Sequence, residues 1–282
     1  MHRLKMVKYL IVKVVLLVSM GKLNAQTVSV ATTGGEVAPT KSRPYAFSFG
    51  STLNSNLYES DVDHQVSNTF SLGASYNFEK AGKLSIAQLM DKDLKNDRLE
   101  TWNDTVISFS RALYRFNDFT SLSGKISSSL PISKESRDNA SLVTSTSISP
   151  VLALDLNNFI KGISISYAPS FRRSFHQYKT KADGASNTSY SWAQRLIIDY
   201  SFSESFSLTL DQSYIRGYTY RGMSKDSFSF DQSLNYQMNS RVSWSLGHSI
   251  GGSALAVNGK DSNVRLFDEE ASSVYLSFAL SL

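Results

Sequence analysis

The last nine residues, Val274-Tyr275-Leu276-Ser277-Phe278-Ala279-Leu280-Ser281-Leu282, alternate large apolar side chains with mostly small or polar ones up to the carboxyl terminus. Successive side chains of a β-strand point to opposite faces, so Val274, Leu276, Phe278, Leu280 and Leu282 share one face. Tyr275, Ser277, Ala279 and Ser281 take the other. A strand that runs into the chain end has no tail to cover its backbone, so it must be held by pairing with other strands.

The same period of two recurs over twelve segments: 44–53, 67–78, 83–90, 105–116, 119–130, 141–156, 160–171, 189–202, 206–219, 226–238, 241–252 and 271–282. Most are longer than the roughly 5–6 residues usual for soluble strands. They match the roughly 9–11 residues that a tilted strand needs to cross a bilayer. The connections alternate as well. Short, turn-prone links occur at Glu79–Gly82, Asn117-Asp118, Asn157–Phe159, Ser203–Ser205 and Asn239-Ser240. Between them lie mostly longer, more charged links at 54–66, 91–104, 131–140, 172–188, 220–225 and 253–270.

Aromatic residues gather at strand ends. Tyr76, Phe78, Phe116, Phe119, Tyr200, Phe202, Phe206 and Tyr236 flank the short links. Phe70, Phe171, Tyr190, Trp192, Tyr214, Tyr218, Tyr220, Phe228 and Phe230 lie toward the long ones. Strand propensity explains their number but not this placement, which fits two interfacial girdles.

The faces are sorted by polarity. In 189–202, Tyr190, Trp192, Leu196, Ile198, Tyr200 and Phe202 oppose Ser191, Ala193, Arg195, Asp199 and Ser201. In 226–238, Phe228, Phe230, Leu234, Tyr236 and Met238 oppose Ser227, Ser229, Asp231, Ser233 and Asn235. A soluble sandwich normally carries many Lys and Glu on its wet face. Here that face is Ser, Thr, Asn and Ala, which suits the inner wall of a hydrated tube. Strand 105–116 breaks phase between Phe109 and Tyr114, and a bulge near Ala112 is expected to restore it.

At the amino end, Arg3, Lys5 and Lys8 precede an apolar run from Tyr9 to Met20, and Ala25 offers a cleavage point before Gln26. Residues 1–25 read as a cleavable export signal, being too short and too charged for an anchor. They carry five of the 29 basic residues and none of the 24 acidic ones, so the rest balances at 24 against 24. The basic bias that suggests a nucleic-acid partner therefore resides in the signal. Cysteine is absent, and the four histidines form no metal-ligand spacing.

The even strand number, alternating link lengths, two girdles and terminal strand together resemble bacterial outer-membrane β-barrels. The resemblance spans residues 44–282 and the signal, and identifies no particular family. It implies an all-β, transmembrane, antiparallel up-and-down β-barrel of twelve strands, with residues 26–43 as a flexible periplasmic lead-in. It also implies an outer-membrane location, outer-membrane lipid as surroundings and insertion by the barrel-assembly machinery. The terminal strand looks like the assembly signal of such proteins, with Leu282 where Phe or Trp is usual.

Candidate chemistry is sparse. Gly247-His248-Ser249-Ile250-Gly251 fits the G-x-S-x-G pattern, but it lies inside a strand and no histidine follows Ser249. A Ser–His lipase is weakly indicated: His248 and Ser249 point to opposite faces, and His176 near Ser170 or Ser174 has no evident orienting partner. Gln26–Ala31 resembles an energy-coupling box, but barrels that use one have about 22 strands and a plug. What remains is charge on the inner face: Lys125, Asp155, Arg195, Asp199, Asp211 and Asp231. Arg195 is expected to fall diagonally near Asp211. The expectation is a monomeric, narrow, passive channel for small hydrophilic solutes or ions, with no cofactor, no catalysis and a mild cation preference from the Asp residues. The alternative is a non-conducting barrel whose outer loops act as a scaffold or adhesion module.

Overall fold

The terminal strand does find its partner. Ser273 to Ser281 run antiparallel to Ser48 to Asn56, so the last strand of the chain closes the sheet against the first. This is seen in a computed structural model that describes residues 44–58, 64–79, 81–95, 98–256, 261–268 and 271–282. The signal-like segment 1–25 and the segment 26–43 lie outside the described residues.

Fourteen strand segments follow in order: β1 (Tyr45–Asn56), β2 (Val66–Asn77), β3 (Lys83–Asp93), β4 (Glu100–Trp102), β5 (Thr105–Asn117), β6 (Thr120–Leu130), β7 (Leu142–Asp155), β8 (Ile163–Tyr167), β9 (Ser170–His176), β10 (Thr188–Ser201), β11 (Phe206–Thr219), β12 (Ser224–Gln237), β13 (Val242–Ser253) and β14 (Ser272–Ser281). They make one closed antiparallel ring of twelve staves. β4 is a short extra strand paired only with β3, and β8 and β9 share one stave between β7 and β10. The interruption falls at Ala168-Pro169, where proline has no amide hydrogen to donate. Ala168 N instead donates to Arg195 O at 2.8 Å, and the Ser149 hydroxyl donates to Pro169 O at 2.9 Å.

The barrel is inside-out relative to a soluble protein. Leu72, Ile126, Ile148 and Leu246 are each more than half exposed on the outer wall, whereas Ser145, Ser213, Ser233 and Ser272 are buried. A wall of exposed Leu and Ile is stable only in hydrocarbon, and a closed ring leaves no unpaired edge there. The serine face has its own cohesion. Hydroxyls pair across adjacent staves at Ser213–Ser229, Ser249–Ser273, Thr52–Ser277 and Ser85–Ser108, each 2.7 to 2.8 Å apart.

The two belts of rings are present. Phe206 packs on Tyr236 at 4.8 Å and Tyr76 on Phe78 at 4.7 Å near the short links. Tyr190 stacks on Tyr218 at 4.8 Å and Trp192 meets Tyr214 at 5.1 Å near the long ones. In β5 the register against β6 slips between Ala112 and Tyr114, which keeps Phe109 and Tyr114 on one face. At the β8 end, Gly162 adopts φ 83°, and a Cβ there would stand 2.0 Å from Ser201 O, so only glycine fits this turn.

Three strands run at least three residues further than their alternation indicates, β1 continuing to Asn56 rather than stopping at 53. β3 continues to Asp93, and β9 continues to His176 rather than stopping at 171. The long links are partly built: Glu135–Asn139 form a π-helical turn, and Lys181 Nζ bonds Glu135 Oε1 at 2.6 Å. Asn187, almost fully buried, donates to Ala140 O and Tyr178 O. Links 131–141 and 177–187 are thereby tied together at the long-loop end.

Candidate functional site

The inner wall gathers its charges on neighbouring staves. Arg195 on β10 stands opposite Ser213 on β11, one diagonal step from Asp211. Its guanidinium grips that carboxylate with both Nε and Nη2; Nε lies 2.9 and 3.0 Å from the two oxygens. Such a forked pair fixes the direction of both side chains.

Asp211 faces Asp231 of β12 directly in register. Two carboxylates so placed repel unless each is compensated. Arg195 compensates the first. The second accepts a hydrogen bond of 2.9 Å from the hydroxyl of Tyr275, which belongs to β14 and reaches over the whole of β13. That reach depends on Gly247. A Cβ at this position would lie 2.2 Å from Tyr275 Cζ and 2.4 Å from its hydroxyl oxygen. The result is a chain of contacts, Arg195–Asp211–Asp231–Tyr275, spanning five adjacent staves from β10 to β14.

The remaining residues singled out from the sequence have separate positions. Asp199 accepts from Thr209 Oγ1 at 2.6 Å, closer to the short-link end. Lys125 on β6 pairs in register with Ser110 and Ser149 of the serine face and stands within electrostatic reach of Arg195. Asp155 stays apart: it ends β7 and accepts the Asn157 amide at 2.9 Å, so it caps a turn.

One inner-wall cation is absent from the sequence reading. Arg172 pairs in register with Ser147 and Ser191, and its Nη2 donates to Ser129 Oγ at 3.1 Å. Alternation ends at Phe171 because Arg172 and Arg173 are both charged, so the pair reads as loop. The structure puts Arg172 inside and turns Arg173 outward, where it sits over the Phe175 ring at 5.8 Å. With Arg172 included, Lys125, Arg172 and Arg195 stand against Asp199, Asp211, Asp231 and Asp91 of β3, which shares the inner face and accepts from Thr69 Oγ1 at 2.6 Å. The acid excess on the eighth to tenth sequence strands is therefore offset in part by β6 and β9, and one acid remains in excess among these residues.

The serine–histidine combinations do not form a triad. His248 and Ser249 take opposite faces; Ser249 bonds Ser273 inside, and His248 Nδ1 meets Gln232 outside at 3.2 Å. His176 packs edge-on against Tyr220 at 5.7 Å. A contact not foreseen from the sequence joins Ser55 Oγ to His64 Nε2 at 2.9 Å. The Nδ1 of that ring faces Lys95 Nζ at 3.5 Å, a cation where a triad places its carboxylate. No group of three or more His, Cys, Asp or Glu among the described residues is placed to hold a metal.

Neither a protein-family model nor a curated relative matches the chain. Solved structures do match in fold. An outer membrane channel from Pseudomonas putida F1 superposes with a TM-score of 0.59 at 12% identity, covering 88% of this chain and 100% of that one. The NanC porin superposes with a TM-score of 0.53 at 12% identity, covering 84% of this chain and 100% of that one. The chain is thus similar in fold to outer-membrane channel barrels.

Proposed function

We propose that the barrel is a narrow passive channel through which small hydrophilic solutes or ions diffuse. The observation that carries this reading is the state of Lys125 and Arg172. Both sit on the serine face, enclosed by the ring, yet both side chains are exposed to solvent. Protein atoms crowd both side chains, yet each keeps surface open to solvent, which favours a hydrated interior. The two proteins of like fold are a porin and an outer membrane channel, which accords with this reading. Lys125, Arg172 and Arg195 line the path with Asp91, Asp199, Asp211 and Asp231 and set a mild cation preference, because the acids outnumber the bases by one. Export through residues 1–25, with cleavage after Ala25, and residence in the outer membrane complete the proposal.

The test is reconstitution in planar bilayers, with heat-modifiable gel mobility as the proof of folding. Discrete conductance steps and a small, cation-selective reversal potential in a salt gradient are expected. Folded protein that gives no steps refutes the channel. The tied links 131–141 and 177–187 favour a second reading in that event, a non-conducting scaffold acting through its loops.

A further inference from the structure

One outward cation of the barrel wall has no counter-charge in the chain. Arg173 lies on β9 and pairs in register with Thr146 of β7 and Tyr190 of β10. It shares the outer face of β9 with Phe171 and Phe175, on the opposite side from Arg172. Tyr190 belongs to the belt of rings near the long links, stacked on Phe171 at 6.2 Å and on Tyr218 at 4.8 Å. Such a belt marks the depth where lipid headgroups meet hydrocarbon. Arg173 therefore stands at headgroup depth.

The other two outward cations that the strands carry near the long links are answered by the chain. Lys92 of β3 bonds Glu100 of β4 at 2.7 Å, and Arg216 of β11 bonds Asp226 of β12 at 2.7 Å. Three outward amides have partners too. Gln88 donates to Leu89 O and Asn103 O, Gln194 accepts from the Tyr167 hydroxyl, and Gln232 meets His248. Arg173 makes no hydrogen bond and no ion pair among the described residues.

Its position is nevertheless fixed. The guanidinium carbon lies 5.8 Å from the centre of the Phe175 ring and 5.9 Å from that of Tyr220. Tyr220 is itself anchored, its hydroxyl donating to Ser174 O at 3.1 Å. Attraction to ring faces holds a guanidinium without using its N–H donors. What remains is an exposed fork whose geometry matches two oxygens of a phosphate.

Below the fork, the wall offers a track for an acyl chain. Ile126, Ile148 and Phe171 pair straight across β6, β7 and β9, and each is about half exposed. The row ends two residues short of Arg173, about 6.6 Å along the strand, which leaves room for the backbone of a lipid between its phosphate and its chain. We propose that Arg173 and this row form a site on the outer wall for one phosphate-bearing lipid of the leaflet that faces the long links. The phosphate accepts from the Arg173 fork, and a chain lies along Phe171, Ile148 and Ile126. A free phosphate would use the fork alone, so the apolar row is what commits the site to a lipid. The inference rests on residence in the outer membrane and not on conduction, because the site lies outside the lumen.

The probe is lipid A carrying both of its phosphates, added to the folded chain in detergent and counted by native mass spectrometry. Heat-modifiable mobility confirms that each variant is folded, and membrane fractionation reads the residence separately. The natural chain is expected to retain a single lipid A. R173Q is expected to weaken that retention about tenfold, the worth of one hydrogen bond to a charged group. R241Q, which removes an exposed arginine beside the short link Asn239-Ser240, is expected to change nothing. Dephosphorylated lipid A is expected to bind the natural chain as weakly as lipid A binds R173Q, and inorganic phosphate at the same concentration is expected not to displace lipid A. Unchanged retention by folded R173Q overturns the inference, as does an equal loss in R241Q. Equal binding of the dephosphorylated lipid, or displacement by inorganic phosphate, overturns it as well.

Discussion

Gly247→Ala is the smallest change that tests the inner-wall network. Its magnitude follows from the Tyr275 ring. The new methyl group would stand 2.2, 2.4 and 2.6 Å from Cζ, Oη and Cε1. Non-bonded carbons settle about 3.5–4.0 Å apart, so the ring must retreat by roughly 1.5 Å. The 2.9 Å bond to Asp231 then exceeds hydrogen-bond range. A hydrogen bond to a charged group contributes about 1.5–3 kcal/mol, and lumen water replaces part of it, so a loss of about 1–2 kcal/mol is expected. The sign is informative. In a strand with room for a methyl group, Gly→Ala stabilises by about 0.5–1 kcal/mol, because glycine loses more backbone entropy on folding.

The assay is guanidinium unfolding of protein folded into lipid vesicles, followed by fluorescence of the three tryptophans. Three variants suffice: G247A, Y275A and the double variant. G247A alone should destabilise. In the Y275A background the same methyl group meets no ring and should become neutral or stabilising, giving a coupling of about 1.5–3 kcal/mol. A G247A effect equal in both backgrounds refutes the account, because the ring over Gly247 is then not what the glycine serves. Conductance reports the same geometry: displacing the ring into the lumen should lower the unitary current in G247A, and removing it in Y275A should raise it.

Other perturbations have distinct readouts. Arg195→Ala leaves Asp211 and Asp231 facing each other without their cation. A unit charge lost about 4 Å from a passing ion is worth about 1 kcal/mol in water, of opposite sign for cation and anion, so the cation-to-anion permeability ratio should rise by up to about thirtyfold. D211N/D231N should shift it the other way, and two shifts of the same sign would contradict this assignment. At the loop end, the Lys181 ammonium and the Asn139 amide hold the Glu135 carboxyl below its ordinary value. A group depressed on folding stabilises above its unfolded pKa, and that contribution is lost as pH falls through the folded one. The tie between links 131–141 and 177–187 should therefore be intact at neutral pH and loosen in acid. Hydrogen-exchange protection of the Ala182 amide, which donates to Asn139 O, measures it; E135Q should abolish the pH dependence.

Much of the fold was legible because a barrel wall is a local code. Period-two alternation assigns each residue a face, and cross-strand serines and rings need only near neighbours in the next hairpin. Arg195 and Asp211 could be joined from sequence because one short turn, Ser203–Ser205, fixes their register. Tyr275 and Asp231 could not: their contact crosses β13 and depends on a missing side chain at Gly247, which no periodicity reports. Arg172 was hidden for a different reason. Consecutive arginines erase the apolar–polar contrast, although one of them faces lumen water and the other an aromatic ring.

The same reasoning explains why the outward amides escaped notice. Glutamine among Tyr, Leu and Phe looks like noise in an alternation score, since a period-two test asks only whether neighbours differ. Its cost appears once the wall is closed and its outer side is assigned to hydrocarbon, where an amide without a partner is unfavourable. Serines of the inner face pair with one another across staves, and the one amide of β3 finds backbone carbonyls. Satisfaction is not universal, since His176 Nδ1, Ser186 Oγ and His248 Nε2 are buried without a partner. On β10 to β12, Gln194 and Gln232 each meet one outer-wall neighbour, Tyr167 and His248, which no alternation score weighs.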